Sequence, residues 1–194
     1  DDDSEVATFD EFVEHFDWNK VNTTGPIFDL KKLDWLNGYY IRSLSADELT
    51  SRVIDFHRER GDWDESIDVS VFSAAMPLVQ ERMVLLGDAL PKLQFLFVSD
   101  VVVDEKARAA LADNAGEVLG AAVDVLSGLS DWKTDEIHSA LRTQLVEEMG
   151  IKPRLAFAPL RVAISGAKVS PPLFESMEIL GREETLRRLR GFSL

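Results

Sequence analysis

The residues best placed to do chemistry lie near the end of the chain. Ala158-Pro159-Leu160-Arg161-Val162-Ala163-Ile164-Ser165-Gly166 is followed by Ser170-Pro171-Pro172-Leu173-Phe174-Glu175, and then by Leu180-Gly181-Arg182-Glu183. Gly166 is a helix stop, and Ser170-Pro171 predicts a helix start with serine as cap and proline at the first position. A stop, a short loop and a prolyl start leave backbone N–H groups pointing outward, a place for phosphates or base edges. Arg161 and Arg182 flank that place. A plain corner between two helices carries the same pattern, so spacing alone leaves both readings open.

Other chemistry is poorly provided for. His15, His57 and His138 lie far apart on separate amphipathic stretches, with no HExxH and no i, i+4 pair. They are expected to be ordinary surface histidines, and no metal site is expected. There is no GxSxG, no P-loop signature and no GxGxxG after a strand, so no catalytic residue is assigned. Cysteine is absent. That removes disulfides, thiolate catalysis and cysteine zinc sites, and it suits a reducing, cytoplasmic setting.

The net charge of −14 argues at first against nucleic acid, because an acidic surface repels phosphate. The average conceals an asymmetry. Residues 150–194 hold eight basic and four acidic side chains, a net +4, which leaves −18 for residues 1–149. The last quarter is therefore where RNA would be met, although a solvated basic helix explains the same residues. No apolar run approaches about 18 residues and no basic-apolar leader is visible, so neither a membrane partner nor a signal peptide is expected. The chain begins Asp1-Asp2-Asp3, which suggests a piece of a longer protein.

The elements that must position the candidate residues are helical almost throughout. Thr8 and Glu11 form a capping box before Phe9 to Phe16, and Asn22-Thr23-Thr24-Gly25-Pro26 reads as a loop. Asp29 caps a helix with Leu30, Leu33, Leu36, Tyr40 and Ile41 on one face, and Trp35 and Leu36 are expected in the core. Gly38 inside that helix costs about 1 kcal/mol of propensity, which points to a close approach. Ser45 and Glu48 make a second capping box, and Gly61-Asp62 ends the helix they start. A longer helix is expected over Val69 to Leu86, kinked or restarted at Pro77.

Leu90-Pro91 to Phe97 is short and apolar, and Val101-Val102-Val103 imitates a strand. Asp104 caps a helix with Ala107, Ala110 and Leu111 inward. Helices follow over Gly116 to Leu129, Thr134 to Met149, Pro153 to Ser165, the prolyl start to Leu180, and Arg182 to Arg190. The fold class is all-α, a compact helical array of two small subdomains, with Asp104 as their boundary.

Two stretches resemble signatures of bacterial-type glutamyl-tRNA synthetases. Phe28-Asp29-Leu30-Lys31-Lys32-Leu33-Asp34-Trp35-Leu36-Asn37-Gly38-Tyr39-Tyr40-Ile41-Arg42 is similar to that family's F-D-x-x-K-L-x-W-L-N-x-x-Y-I-R run. Lys152 to Leu189 is similar to its P-L-R-x-A, S-P-P-L-F-E and L-G-x-E ending. The likeness runs from about Phe9 to the last residues and is weakest from about Gly61 to Gly150.

The resemblance implies a class I synthetase that attaches glutamate to tRNA(Glu) with ATP and Mg²⁺ on a Rossmann-type domain. The HIGH-like and KMSKS-like signatures of that domain do not occur here, so this segment is expected to be inactive alone and to bind no cofactor. It would comprise the end of the stem-contact domain (1–46) and two anticodon-binding subdomains (47–103 and 104–194). By the same resemblance Arg161 reads anticodon bases, and Ser170, Pro171 and Leu173 meet the last one. Arg82 is the nearest match to an arginine that inspects the first anticodon base and separates C from U. Lys168, Arg182 and Arg187 are candidate RNA-backbone contacts. The expected partner is tRNA(Glu), with tRNA(Gln) open and no DNA, and a monomer is expected. The competing reading is an acidic helical protein–protein interaction module descended from a synthetase appendage.

Overall fold

The structure is a computed structural model that describes residues 6–21, 25 and 28–193, so most of the loop expected at Asn22 to Pro26 lies outside the described residues. Every regular element among the described residues is helical. α1 (Phe9–His15) starts at Thr8, whose hydroxyl accepts from the Glu11 N–H while the Glu11 carboxylate takes the Thr8 N–H at 2.7 Å. α2 (Leu30–Ser43) starts where the Asp29 carboxylate accepts from the Lys31 and Lys32 N–H groups. α3 (Ala46–Arg60) keeps only half of its expected box. Ser45 Oγ accepts from the Glu48 N–H, but the Glu48 carboxylate turns to Arg52 at 2.8 Å. A charged partner one turn ahead outcompetes the reciprocal backbone bond.

α4 (Val69–Ala75), α5 (Pro77–Gln80) and α6 (Ala89–Leu93) follow, then α7 (Glu105–Ala109), α8 (Ala115–Ser127) and α9 (Thr134–Leu141). α10 (Pro153–Ser165), α11 (Leu173–Leu180) and α12 (Arg182–Gly191) complete the chain. Apolar side chains close into two buried clusters. One joins Ile41, the inner stripe of α3, Phe72, Met76 and Leu93. The other runs from Phe95 through Leu126, Leu141 and Leu160 to Leu189. Leu96 packs against both clusters, and Ile179 of α11 leans on the first.

The helix expected over Val69 to Leu86 is broken. Pro77 has no N–H to give and restarts the helix, and α5 stops at Gln80 rather than at Leu86. Two side chains hold this region in place. The Gln80 side-chain amide donates to the carbonyls of Ile41 and Leu44 at 2.9 and 2.8 Å, satisfying orphan acceptors at the end of α2. Asp88 then takes the Val84 and Leu85 N–H groups at 2.9 and 3.0 Å, which holds Leu85 extended. The consequence is an exposed turn that carries Arg82. The stretch after α9 also departs from an ordinary helix, since Arg142–Glu148 is a wider π-helix.

Gly38 is buried, but the close approach expected there is not one of backbone: a Cβ would make ordinary contact with the Met83 carbonyl oxygen at 3.5 Å, and its nearest neighbour would be the Arg42 guanidinium of the same helix at 2.9 Å. Neighbouring Asn37 donates to the Val84 carbonyl at 3.0 Å. Only this side of α2 docks. Trp35, expected in the core, is therefore 42% exposed, and Leu36 is half-buried. His57 departs the other way. It stands four and eight residues after Val53 and Leu49, on the same inner stripe, and is buried with Nδ1 2.8 Å from the Asp62 carboxylate. Spacing outweighed polarity there. His15 and His138 are exposed as expected, while Ala110, expected to face inward, is exposed.

Arg188 of α12 ties these parts together. It is 6% exposed, and its guanidinium donates to the carbonyls of Phe95, Ile164 and Val98 at 2.9, 2.8 and 2.7 Å. Its Nε reaches Glu184 at 2.6 Å. Hydrogen bonds from Arg187 and then Arg188 hold the Glu184 carboxyl at about 2, well below the ordinary glutamate value.

Replacing Arg188 by methionine leaves the carbonyls of Phe95, Ile164 and Val98 without this donor, and leaves the Glu184 carboxylate with Arg187 alone. Urea unfolding should show a loss of about 3 kcal/mol or more. A folded-state value below the unfolded one means that Glu184 stabilises above about pH 4.3 and loses this contribution as pH falls towards 2. Glu184→Gln should therefore flatten the acid side of a stability-against-pH profile, measured by urea midpoints from about pH 6 downwards.

Candidate nucleic-acid interface

α10 is a helix because Pro153 occupies its first position and Gly166 ends it in the left-handed region, with φ +73°. A side chain at Gly166 would collide with the Val102 carbonyl, and the Gly166 carbonyl accepts from the Asp104 N–H at 2.8 Å. Val101-Val102-Val103 is thus no strand but an extended connector laid against the end of α10. This contact sets the course of the loop from Ala167 to Pro172. Ser165 Oγ adds a local brace by donating to the Arg161 carbonyl at 2.8 Å.

Ser170 does not cap α11, which starts at Leu173 after Pro172. Two consecutive prolines keep the chain extended for two residues longer than the cap pattern predicts. Ser170 Oγ is instead taken by Arg161, whose Nη1 donates to it at 2.7 Å and to the Pro171 carbonyl at 3.1 Å. Arg82 approaches the same segment from the other side and donates to the Ser170 carbonyl at 3.3 Å. Burial, then the charge of Arg82, lowers the Arg161 guanidinium from its ordinary value. It remains charged at neutral pH, as arginines do.

The four residues Arg82, Arg161, Ser170 and Pro171 are therefore brought together. Leu173 adjoins them, but its side chain is buried in the second cluster.

Two clefts lie on either side of this loop. The first, of about 480 Å³, opens between Arg82, Phe95, Val101 and Ser170. The second, of about 700 Å³, runs along α10 and α7 and contains Lys152, Arg154, Arg161 and Lys168. No carboxylate lines the second cleft, although the charge of Glu175 reaches Arg161. Arg182 and Arg187 are occupied elsewhere. Arg182 lies over the Trp132 ring at 5.4 Å and donates to the Ser130 carbonyl. Arg187 pairs with Glu184 at 2.7 Å and Asp100 at 3.3 Å, and it also contacts the Ser99 carbonyl. Lys152 and Arg154 were counted in the basic balance but not singled out as contacts. A signal was present, because Arg154, Ala158 and Arg161 recur at i, i+4, i+7 on one helix face.

The arrangement can hold planar, hydrogen-bonding groups against a loop with a guanidinium on each side, and anions along a cationic groove. Comparison with known proteins agrees. A family model described as an anticodon binding domain matches residues 47–192. The glutamate–tRNA ligase of Cutibacterium acnes is 54% identical over 198 residues, covering 97% of this chain and 40% of that protein. That of Acidothermus cellulolyticus is 48% identical over 195 residues, covering 97% and 39%. The chain thus spans about two fifths of the length of the curated relatives it matches.

The crystal structure of a glutamate–tRNA synthetase from Elizabethkingia anophelis superposes with a TM-score of 0.81 at 25% identity, covering 96% of this chain and 36% of that one. A glutamate tRNA ligase from Elizabethkingia meningosepticum, in complex with its amino acid, gives 0.79 at 25%, with the same coverage of each chain. These findings support the anticodon-binding reading over that of an acidic interaction module.

Gly166→Ala must both enter the left-handed region and displace the Val102 carbonyl. A loss of about 1–2 kcal/mol is expected from the backbone alone, with more from the collision, measured by urea unfolding.

Proposed function

The chain belongs to the anticodon-binding domain family, and on that premise we propose that it reads the anticodon of tRNA(Glu) as part of a glutamate–tRNA ligase. The observation that carries this reading is the convergence of Arg82 and Arg161 on Ser170-Pro171 from elements far apart in sequence. Unstacked anticodon bases are recognised through their edges, and a guanidinium fork matches two acceptors at once. Arg161 is held half-buried against the loop, so little freedom remains to be lost when a base arrives. Arg82 meets the first base and distinguishes C from U, and whether tRNA(Gln) is also accepted turns on that residue. Ser170, Pro171 and Leu173 meet the last base.

The segment divides into the end of a stem-contact domain (1–46) and two anticodon-binding subdomains (47–103 and 104–194). The two buried clusters support two subdomains, although the clusters change between Leu93 and Phe95, ahead of the boundary at Asp104. Attachment of glutamate with ATP and Mg²⁺ belongs to the whole ligase, a cytoplasmic monomer in this reading. The described residues hold no group of three or more His, Asp or Glu able to take a metal ion, and no step is assigned to them in that reaction. No helix among them is long and apolar enough to cross a membrane.

Titration of the chain with tRNA(Glu) and with an anticodon-substituted form tests the reading. The native anticodon should bind more tightly. Arg161→Ala should weaken that binding roughly tenfold or more and reduce the preference, in line with about 1–3 kcal/mol for a good bidentate pair. Equal affinity of the unaltered chain for both RNAs would overturn the proposal.

A further inference from the structure

The second cleft holds cations that base reading does not use. Lys152, Arg154 and Lys168 are exposed and share the groove beside α10 and α7 with Arg161. None of these three has an ion-pair partner among the described residues, in a chain whose net charge is −14. Acids are plentiful elsewhere and take up other cations of the same segment, such as Arg187 and Arg188. A groove that keeps three adjacent cations unpaired repels itself, and an anion laid along it relieves that repulsion.

The layout also indicates the shape of the anion. Arg154 and Arg161 are seven residues apart on α10, a rise of about 10 Å, so the positive charge forms a line rather than one converging point. A line of charge suits a run of phosphates better than a single one.

We propose that Lys152, Arg154 and Lys168 form a sequence-blind rail for the phosphate backbone of the RNA whose bases Arg82 and Arg161 inspect. The inference rests on the anticodon reading for the identity of the RNA. It divides the work between the two sides of the Ala167–Pro172 loop. Base choice lies with the arginines at Ser170, and most of the salt-dependent affinity lies in the groove. It also moves the backbone contacts away from Arg182 and Arg187, whose donors are engaged within the protein.

The test is a salt titration of the chain carrying Lys152→Gln, Arg154→Gln and Lys168→Gln together, with tRNA(Glu) and its anticodon-substituted form as probes. All three positions are exposed, and an unchanged urea midpoint confirms that the variant folds. Three lost phosphate contacts on a single strand should make the log affinity against log salt line shallower by about 2. The tightening that the unaltered chain gains between about 200 and about 50 mM salt should then shrink roughly 20-fold. Both RNAs should weaken by the same factor, so the anticodon preference persists.

An unchanged slope, with preference intact in the unaltered chain, would overturn the rail and leave the anticodon reading standing. A variant that loses anticodon preference would also overturn it, because the groove would then be reading bases. A shallower slope in a chain that never preferred the native anticodon would uphold the rail while removing the anticodon reading. No binding of either RNA by the unaltered chain would overturn both.

Discussion

The guanidinium of Arg188 sits where α12, the connector after α6 and the end of α10 meet. Four of its donor bonds go to the carbonyls of Phe95, Val98 and Ile164, which are buried or partly so, and to the Glu184 carboxylate, which it shares with Arg187. A hydrophobic side chain could fill the volume but could not satisfy those acceptors. Because the connector is held this way, the cluster that carries Arg82 lies beside the one that carries Arg161. The Ser170 loop is then reached from both sides. The geometry of the Arg82, Arg161 and Ser170 cluster thus depends on a cation that lies outside it.

Counting charges along a chain is a poor guide to the field it presents. Residues 150–194 carry eight cations, yet Arg188 is buried, Arg187 is neutralised by Glu184 and Asp100, and Arg182 rests on Trp132. The remaining exposed positive charge is concentrated beside α10, where no acid lines the groove. Part of the acidic excess likewise has internal work. Glu178 takes the Thr134 N–H and hydroxyl, and bonds from Thr134 and Lys133 hold its carboxyl at about 2. An acidic body with one cationic groove is an uneven field, and such a field can add to specificity by repulsion as well as attraction.

The aromatic helix α2 illustrates a different limit. Its pattern of Leu30, Leu33, Leu36, Tyr40 and Ile41 reads as a face for the core, but only the edge around Gly38 and Ile41 is buried, and Leu30, Leu33 and Tyr40 are exposed. Hydrophobic periodicity identifies the side of a helix that will seek cover. It does not say whether the cover lies within the same 194 residues. The curated relatives extend well beyond this segment.

What the sequence determined by itself is what neighbours within about four residues decide. The starts at Thr8, Asp29 and Asp104 and the stops at Gly61, Gly166 and Gly181 are each made by a cap or a glycine acting on adjacent backbone groups, and they stand where the pattern puts them. The P-L-R and S-P-P motifs were legible for the same reason, as short runs with fixed chemistry. Tertiary structure decided the rest. Arg82 meets Ser170 across 88 residues, Arg188 meets Phe95 across 93, and Asp88 holds Leu85 extended where local propensity would have continued a helix. Those outcomes depend on which buried acceptors need a donor once two cores have packed, and a linear pattern does not contain that condition.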